Sequence, residues 1–322
     1  MNTENSQTQE IALSVCIPLY NEEESIYHLH KALKDALEPL NINYEIIFVD
    51  DGSKDRTFEI AEQLTEQDPN LKAIKFRKNY GQTPAMAAGI DNAQGKIIIT
   101  MDGDLQNDPS DIPLFLKEID NGHDIVVGWR HKRQDKLVTR KIPSMIANRI
   151  IGKITGVPIK DNGCSLKAYR RDIIQKIPLY SEMHRFIPAM SSIAGTNIAE
   201  IKVKHHARQF GESKYGLSRI YKVLIDLLVI KTLITFANKP LYWFTLLGIV
   251  PGVLGMLFIL YSVLFLLADP DMNTFMIASS GLLALSLSTF MFSLGIFGEL
   301  VYKTSSRWIE KLSYLKLTRK GL

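Results

Sequence analysis

Lys96-Ile97-Ile98-Ile99-Thr100-Met101-Asp102-Gly103-Asp104-Leu105-Gln106 begins as a short apolar, β-branched run and ends in acids. Such a run reads as a strand buried on both faces, the signature of a parallel sheet. Asp102 and Asp104 then lie just beyond the carboxyl end of that strand, with Gly103 between them and Gln106 after them. Carboxylates are costly at such a place unless positive charge meets them. In open α/β sheets it is also the edge where ligands bind. Oxygen ligands there suit a hard divalent cation, Mg2+ or Mn2+, whose shell is completed by phosphate oxygens. The plainer alternative is a loop with two solvated carboxylates and a turn glycine.

Working outward, the same pattern repeats. Ile11 to Leu19 reads as a first strand, followed by the turn Pro18-Leu19-Tyr20-Asn21-Glu22 and a helix from about Glu23 to Leu37. Glu45 to Val49 is a second strand ending in Asp50-Asp51-Gly52-Ser53, with a helix over Thr57 to Gln67. Leu71 to Phe76, Asp124 to Gly128, Leu166 to Tyr169 and Glu200 to Lys204 supply further strands. Helices are expected over Gln82 to Ala93, Pro113 to Asn121, Ile142 to Thr155 and Phe186 to Ala194. Alternation of this kind predicts an α/β fold, a mostly parallel sheet with helices on both faces. No Gly-x-Gly-x-x-Gly follows the first strand, which disfavours a dinucleotide, and there is no P-loop Gly-Lys-Ser/Thr. Of Asp50 and Asp51, one is expected to cap a helix and the other to accept hydrogen bonds from a base or ribose.

The chain has 322 residues and a formal net charge of +4, with basic residues crowding the flanks of its apolar segments. That distribution points to an anionic membrane surface and not to nucleic acid. Cys16 and Cys164 lack metal-ligand spacing and read as reduced thiols. The polar segment Met1 to Glu10 does not read as a signal peptide. No charged residue occurs between Lys239 and Asp269 or between Asp271 and Glu299, so each stretch is long enough to span a bilayer. The stripe Leu217, Ile220, Tyr221, Leu224, Leu227 and Leu228 fits a helix lying in the headgroup layer. The expected organisation is a catalytic domain over 1–213, an interfacial segment over 214–236, two membrane helices over 237–302 and a basic tail over 303–322. Basic outer flanks and an acidic hairpin tip place both termini and the catalytic domain on the cytoplasmic side of the plasma membrane. Association of several copies, a tetramer among the options, is expected, with Gly281, Gly295 and Gly298 as small contacts between chains.

Ile17 to Glu23, Val49 to Ser53, Asn79-Tyr80-Gly81-Gln82 and Asp102 to Gln106 resemble the motifs of family 2 inverting glycosyltransferases of the GT-A fold. Asp161-Asn162-Gly163-Cys164 and Phe210-Gly211-Glu212-Ser213-Lys214 narrow the resemblance to the polyprenyl-phosphate branch. That branch includes bactoprenol glucosyltransferases, dolichol-phosphate mannose synthases and the aminoarabinose transferase group. The resemblance implies that Pro18, Tyr20, Glu22 and Asp50, with Asp51 nearby, embrace the nucleoside. It implies that Asp102, Gly103, Asp104 and Gln106 hold metal and diphosphate, and that Arg130 and Arg140 face the phosphates. Asp161 is implied to lie near the acceptor as the candidate base. A phosphate monoester with a second pKa of about 6 is already mostly dianionic at neutral pH, so orienting basic groups is the alternative role. Read from the residues, Arg208, Ser213 and Lys214 form a basic loop suited to closing over phosphates, whereas the adjacent His205 and His206 suit a surface.

The implied reaction is inverting transfer of a sugar, glucose favoured, from a nucleotide diphosphate donor, UDP expected, to polyprenyl phosphate. An aminoarabinose derivative, GlcNAc or mannose in place of glucose are the alternatives of the same reaction. A processive polysaccharide synthase would carry Gln-x-x-Arg-Trp and more spans. Here Arg307-Trp308 follows Thr304-Ser305-Ser306, beyond the second span. A non-catalytic membrane scaffold would tolerate loss of Asp104 or Arg130, and both are present.

Overall fold

The computed structural model describes residues 10–131, 148–149, 152, 156–177, 179, 183–192, 195–207, 232, 239–269, 271 and 273–305. They fall into two compact units, one within residues 1–227 and the other within 228–307. The expected helix over Ile142 to Thr155 and the amphipathic stripe from Leu217 lie almost wholly outside the described residues, as do Arg140, Arg208, Ser213 and Lys214.

In the first unit, β1 (Leu13–Leu19), β2 (Tyr44–Asp50), β3 (Leu71–Lys75), β4 (Ile97–Thr100), β5 (Ile125–Trp129), β6 (Lys167–Arg170) and β7 (Ile198–Lys202) form one sheet. Its order is β3-β2-β1-β4-β6-β5-β7. The chain moves outward from β1 to β3 and then returns to the other side of β1 with β4. The seam between β1 and β4 is therefore the topological switch point, where ligands bind in such sheets. All pairings are parallel except those of β6, which runs antiparallel to both β4 and β5. The apolar run Leu166 to Tyr169 gave no indication of direction, and the result is a mixed sheet.

Three helices connect the parallel half: α1 (Ile26–Leu37), α2 (Thr57–Gln67) and α3 (Gln82–Asn92). The α1 stripe Ile26, Leu29, Leu33 and Leu37 is fully buried against Leu13, Val15, Ile17 and Phe48 in the main core. Right-handed crossovers put α1 and α2 on one face and α3 on the other. The small residues of α3 permit close approach: a Cβ on Gly89 would come within 3.0 Å of Cys16 Cβ. The helix α1 starts one turn later than Glu23, because the Glu22 carbonyl accepts both the Ser25 and Ile26 N–H groups in a turn. A fourth helix, α4 (Ile112–Asp120), carries Pro113 in its first turn and buries Ile112, Phe115 and Ile119.

The second unit contains α5 (Pro240–Ala268) and α6 (Phe275–Ser305), each long and apolar enough to cross a membrane. They pack on each other through small residues. A Cβ on Gly255 would meet Leu285 Cγ at 2.8 Å and the Gly281 carbonyl at 2.9 Å. The Ser288 hydroxyl donates to the Gly248 carbonyl at 2.8 Å. Gly295 faces Leu241 and Phe244, and Gly298 faces Pro240. Gly281, Gly295 and Gly298, expected from the sequence as small contacts between chains, here make contact within the hairpin. The opposite faces expose apolar side chains such as Met256, Leu267, Met276 and Leu283.

Candidate active site

Strands β1 and β2 end level, with Leu19 beside Asp50, whereas β4 ends earlier, with Thr100 beside Cys16, so that the loop carrying Asp102 and Asp104 runs on beside the last residues of β1. The loops that follow are joined by hydrogen bonds. The Asn21 N–H donates to Ser53 Oγ at 2.9 Å, Glu22 N–H to Thr57 Oγ1 at 2.8 Å, and Lys54 N–H to Asn21 Oδ1 at 2.9 Å. Asn21 adopts φ +52, the left-handed region that Asn tolerates better than most residues. Pro18, Tyr20 and Glu22 therefore sit on a rim that is fixed against the loop after β2. The Ser25 hydroxyl donates to Glu22 Oε2 at 2.7 Å and lies 3.3 Å from the Gly103 carbonyl, joining this rim to the loop after β4.

The two acids after β2 have different surroundings. Asp50 is buried and accepts the Ser53 N–H at 3.2 Å. Asp51 accepts the Tyr80 N–H at 2.7 Å on one oxygen and the Gly81 N–H at 2.9 Å on the other, at the entrance to α3. Burial, and then the neighbouring Asp50, hold Asp51 above the ordinary carboxylate value in spite of those two donors. Gly52, at φ +69, lies beneath the Lys78–Asn79 backbone, where a Cβ would collide with Lys78 C.

In the loop after β4, Asp102 Oδ1 accepts the Gln82 amide at 2.6 Å, and Asp104 Oδ1 accepts the Gln106 N–H at 3.2 Å. Gly103 is packed on Leu19, whose Cδ2 would lie 2.5 Å from an added Cβ. Leu105 is held at φ +59, a conformation bulky side chains avoid, at a cost of about 1–2 kcal/mol. From the other side the tail of β7 closes on the loop: the His206 N–H donates to the Gln106 carbonyl at 2.9 Å, and Asn107 pairs with His205. His206 Nε2 is 3.1 Å from Asp108 Oδ2, so this histidine has a specific acidic partner at the surface. No group of three or more His, Cys, Asp or Glu side chains gathers as a cage among the described residues. Two carboxylates of this kind suit a Mg2+-like ion whose remaining ligands come from substrate phosphate and water.

Arg130 and Asp161 complete the rim. Arg130 leaves the end of β5, and Asp161 precedes β6. Because β6 is antiparallel, its beginning lies at the same edge as the ends of its parallel neighbours. Arg130 Nε reaches Asp161 Oδ2 at 2.7 Å and Nη2 reaches Oδ1 at 2.9 Å, a bidentate pair with side chains 14% and 3% exposed. Gly163 leaves room for the guanidinium, whose Nη2 would be 3.2 Å from a Cβ there. Burial works against the charge on Arg130, but Asp161, with a further contribution from Asp102, holds it firmly protonated. Gln82 belongs to the Asn79-Tyr80-Gly81-Gln82 motif but carried no role of its own, and Ser25, Lys167 and His184 lie outside every motif. Lys167 left a signal, a charge within the otherwise apolar run Leu166 to Tyr169.

Against known proteins, the sequence model of glycosyl transferase family 2 matches residues 14–178. The chain is 42% identical over 309 residues to a dodecaprenyl-phosphate galacturonate synthase of Rhizobium johnstonii, covering 94% of this chain and 91% of that protein. It is 41% identical over 246 residues to an undecaprenyl-phosphate 4-deoxy-4-formamido-L-arabinose transferase of Photorhabdus laumondii, covering 76% and 74%. Among solved structures, the glucosyl-3-phosphoglycerate synthase of Mycobacterium tuberculosis, in complex with Mn2+ and UDP, aligns with a TM-score of 0.53. That alignment covers 70% of this chain and 80% of the other at 16% identity, a likeness of fold.

Proposed function

The chain belongs to glycosyl transferase family 2, and from that premise we propose that it moves a sugar from a nucleoside diphosphate, UDP in our reading, to a polyprenyl phosphate. The observation that carries the reading is the meeting of two opposite charge sets on one sheet edge. Asp102 and Asp104 lie in the loop after β4, and Arg130, which follows β5, meets Asp161, which precedes β6, on the same rim. Two relatives of this length and identity are named for polyprenyl-phosphate acceptors, which supports the same acceptor here.

In this reading the loops after β1 and β2 hold the nucleoside through Pro18, Tyr20, Glu22 and Asp50. Asp51 acts at one remove, by fixing the Tyr80–Gly81 backbone. Asp102 and Asp104, with Gln106 beside them, would hold the divalent cation, which supplies positive charge to the departing diphosphate when bound. Arg130 offers a permanently charged fork to the phosphates. Asp161 orients that fork and does not serve as base, because the acceptor dianion is already the nucleophile. What the site contributes is alignment behind the anomeric carbon and charge stabilisation, and a single displacement inverts that carbon. Arg140, Arg208, Ser213 and Lys214 are proposed to add cationic and hydroxyl contacts to the same phosphates. Helices α5 and α6 anchor the chain in the membrane from which the acceptor emerges, with both termini cytoplasmic.

The decisive assay measures nucleotide release from a panel of sugar nucleotides, with and without polyprenyl phosphate. The panel holds glucose, galacturonic acid, 4-formamido-arabinose, GlcNAc and mannose donors, glucose being the expectation from sequence. Release that requires the lipid, with one sugar per lipid, is the expected result. A growing polymer without lipid would instead identify a synthase, and no turnover with any donor would identify a scaffold.

A further inference from the structure

Lys167 is 2% exposed and opens β6, between β4 and β5, where its register partners are Thr100 and Val127. A lysine there is expensive unless its ammonium is matched. Its Nζ donates to two backbone carbonyls from different loops, Asn162 at 3.3 Å and His184 at 3.2 Å. Asn162 is the residue next to Asp161. His184, 5% exposed, is joined through Nδ1 to the Thr83 hydroxyl at 2.6 Å. Thr83 occupies the first turn of α3 beside Gln82, whose amide donates to Asp102 Oδ1. A continuous polar path therefore runs from Asp102 through Gln82 and Thr83, His184 and Lys167 to Asn162, Asp161 and Arg130.

We propose that Lys167 is a positioning residue: with His184 and Thr83 it forms a buried strut that fixes the Asp102 loop relative to the Arg130–Asp161 pair. The inference rests on the glycosyltransferase reading of the site and adds to it. Both ends of the path carry groups that must be held in line across the reacting sugar phosphate. Displacement by about 1 Å in such an arrangement can cost about 100-fold in rate. The charged or ionisable groups around Lys167 are Cys164, Arg185, Asp161 and Arg130, and burial depresses its pKa to about 8. An apolar side chain of similar length would remove the buried charge but leave the Asn162 and His184 carbonyls without their donor. Retaining a lysine is therefore explained by the carbonyls it holds.

The test uses full-length enzyme in detergent with polyprenyl phosphate and compares Lys167→Met, Thr83→Val and the double variant. Lys167→Met is expected to lower kcat about 100-fold with KM for the sugar nucleotide within about threefold of the parent. Its unfolding midpoint should stay close to that of the parent, because relief of the buried charge offsets the loss of a donor to two carbonyls. Thr83→Val should act in the same direction, and the double variant should be no worse than the poorer single one, as for one unit. Wild-type kcat in Lys167→Met, or a loss that matches only a lowered fraction of folded protein, overturns the strut. Additive losses in the double variant overturn the connection through His184. Asp104→Asn run alongside separates the two levels of inference. Full activity of that variant would remove the reading of the site, whereas full activity of Lys167→Met alone removes only the strut.

Discussion

Arg130 grips both carboxylate oxygens of Asp161, with Nε to Oδ2 at 2.7 Å and Nη2 to Oδ1 at 2.9 Å. A carboxylate held in this way by a guanidinium is a poor proton acceptor, since protonation would forfeit both charge-assisted bonds. Asp161→Asn should leave Arg130 without its anion in a largely buried place and destabilise the protein by about 3–5 kcal/mol, read by thermal or denaturant unfolding. In the parent enzyme, kcat should stay flat from neutral pH upward to about pH 8 and fall only below about pH 6, where the acceptor phosphate takes up its proton. A base-like inflection that vanishes with Asp161→Asn would return Asp161 to the role of base.

Asp104→Asn should keep the fold and the membrane association and lower metal-dependent turnover by about 100- to 1,000-fold. Asp104 is buried and its Oδ1 accepts the Gln106 N–H of its own loop, a bond that the amide oxygen of Asn can also accept. Titration of Mn2+ or Mg2+ into both proteins, with turnover as readout, checks it.

Gly52→Ala places a Cβ against the Lys78 backbone at a positive φ, and no side-chain movement relieves that contact. The loop carrying Tyr80 and Gly81 must move away from Asp51, which costs about 1–3 kcal/mol for the backbone alone. Weaker nucleotide binding, measured by calorimetry, is expected to exceed the loss of stability in consequence.

Lys167 also makes a signed prediction about pH. Burial lowers its folded pKa from 10.5 to about 8, so between those values the unfolded chain binds the extra proton. Stability contributed at this position therefore rises with pH across that window and carries its full penalty below about pH 8. The stability of Lys167→Met relative to the parent should be highest below pH 8 and fall as pH rises toward 10.5. Unfolding midpoints of the two proteins measured across that range check it.

In the hairpin, Ser288→Ala removes the hydroxyl that donates to the Gly248 carbonyl, a loss of about 0.6 kcal/mol. Gly255→Leu forces a side chain into Leu285 and the Gly281 carbonyl and should separate the helices far more severely. Thermal unfolding in detergent, followed by helix content, ranks the two.

Much of the fold and of the candidate rim was legible locally. Short β-branched runs that end in Asp50-Asp51 or Asp102-Gly103-Asp104 mark both a strand and its carboxyl edge, because burial ends where charge begins. The helix over Thr57–Gln67 was readable to the residue, since its apolar spacing and flanking turn agree. Two apolar stretches long enough to span a bilayer were legible as well, since that needs only composition and length. Tertiary structure alone decided the direction of β6, since a strand's pattern is the same read either way. That direction brings Asp161 back to Arg130 across 31 positions, and it buries Lys167 between two loops. It also decided that Gly281, Gly295 and Gly298 face a partner helix in the same chain, because periodicity identifies a face but not what covers it. Local order follows from neighbours along the chain, whereas pairing at long range depends on which surfaces remain to be buried once the neighbours have packed.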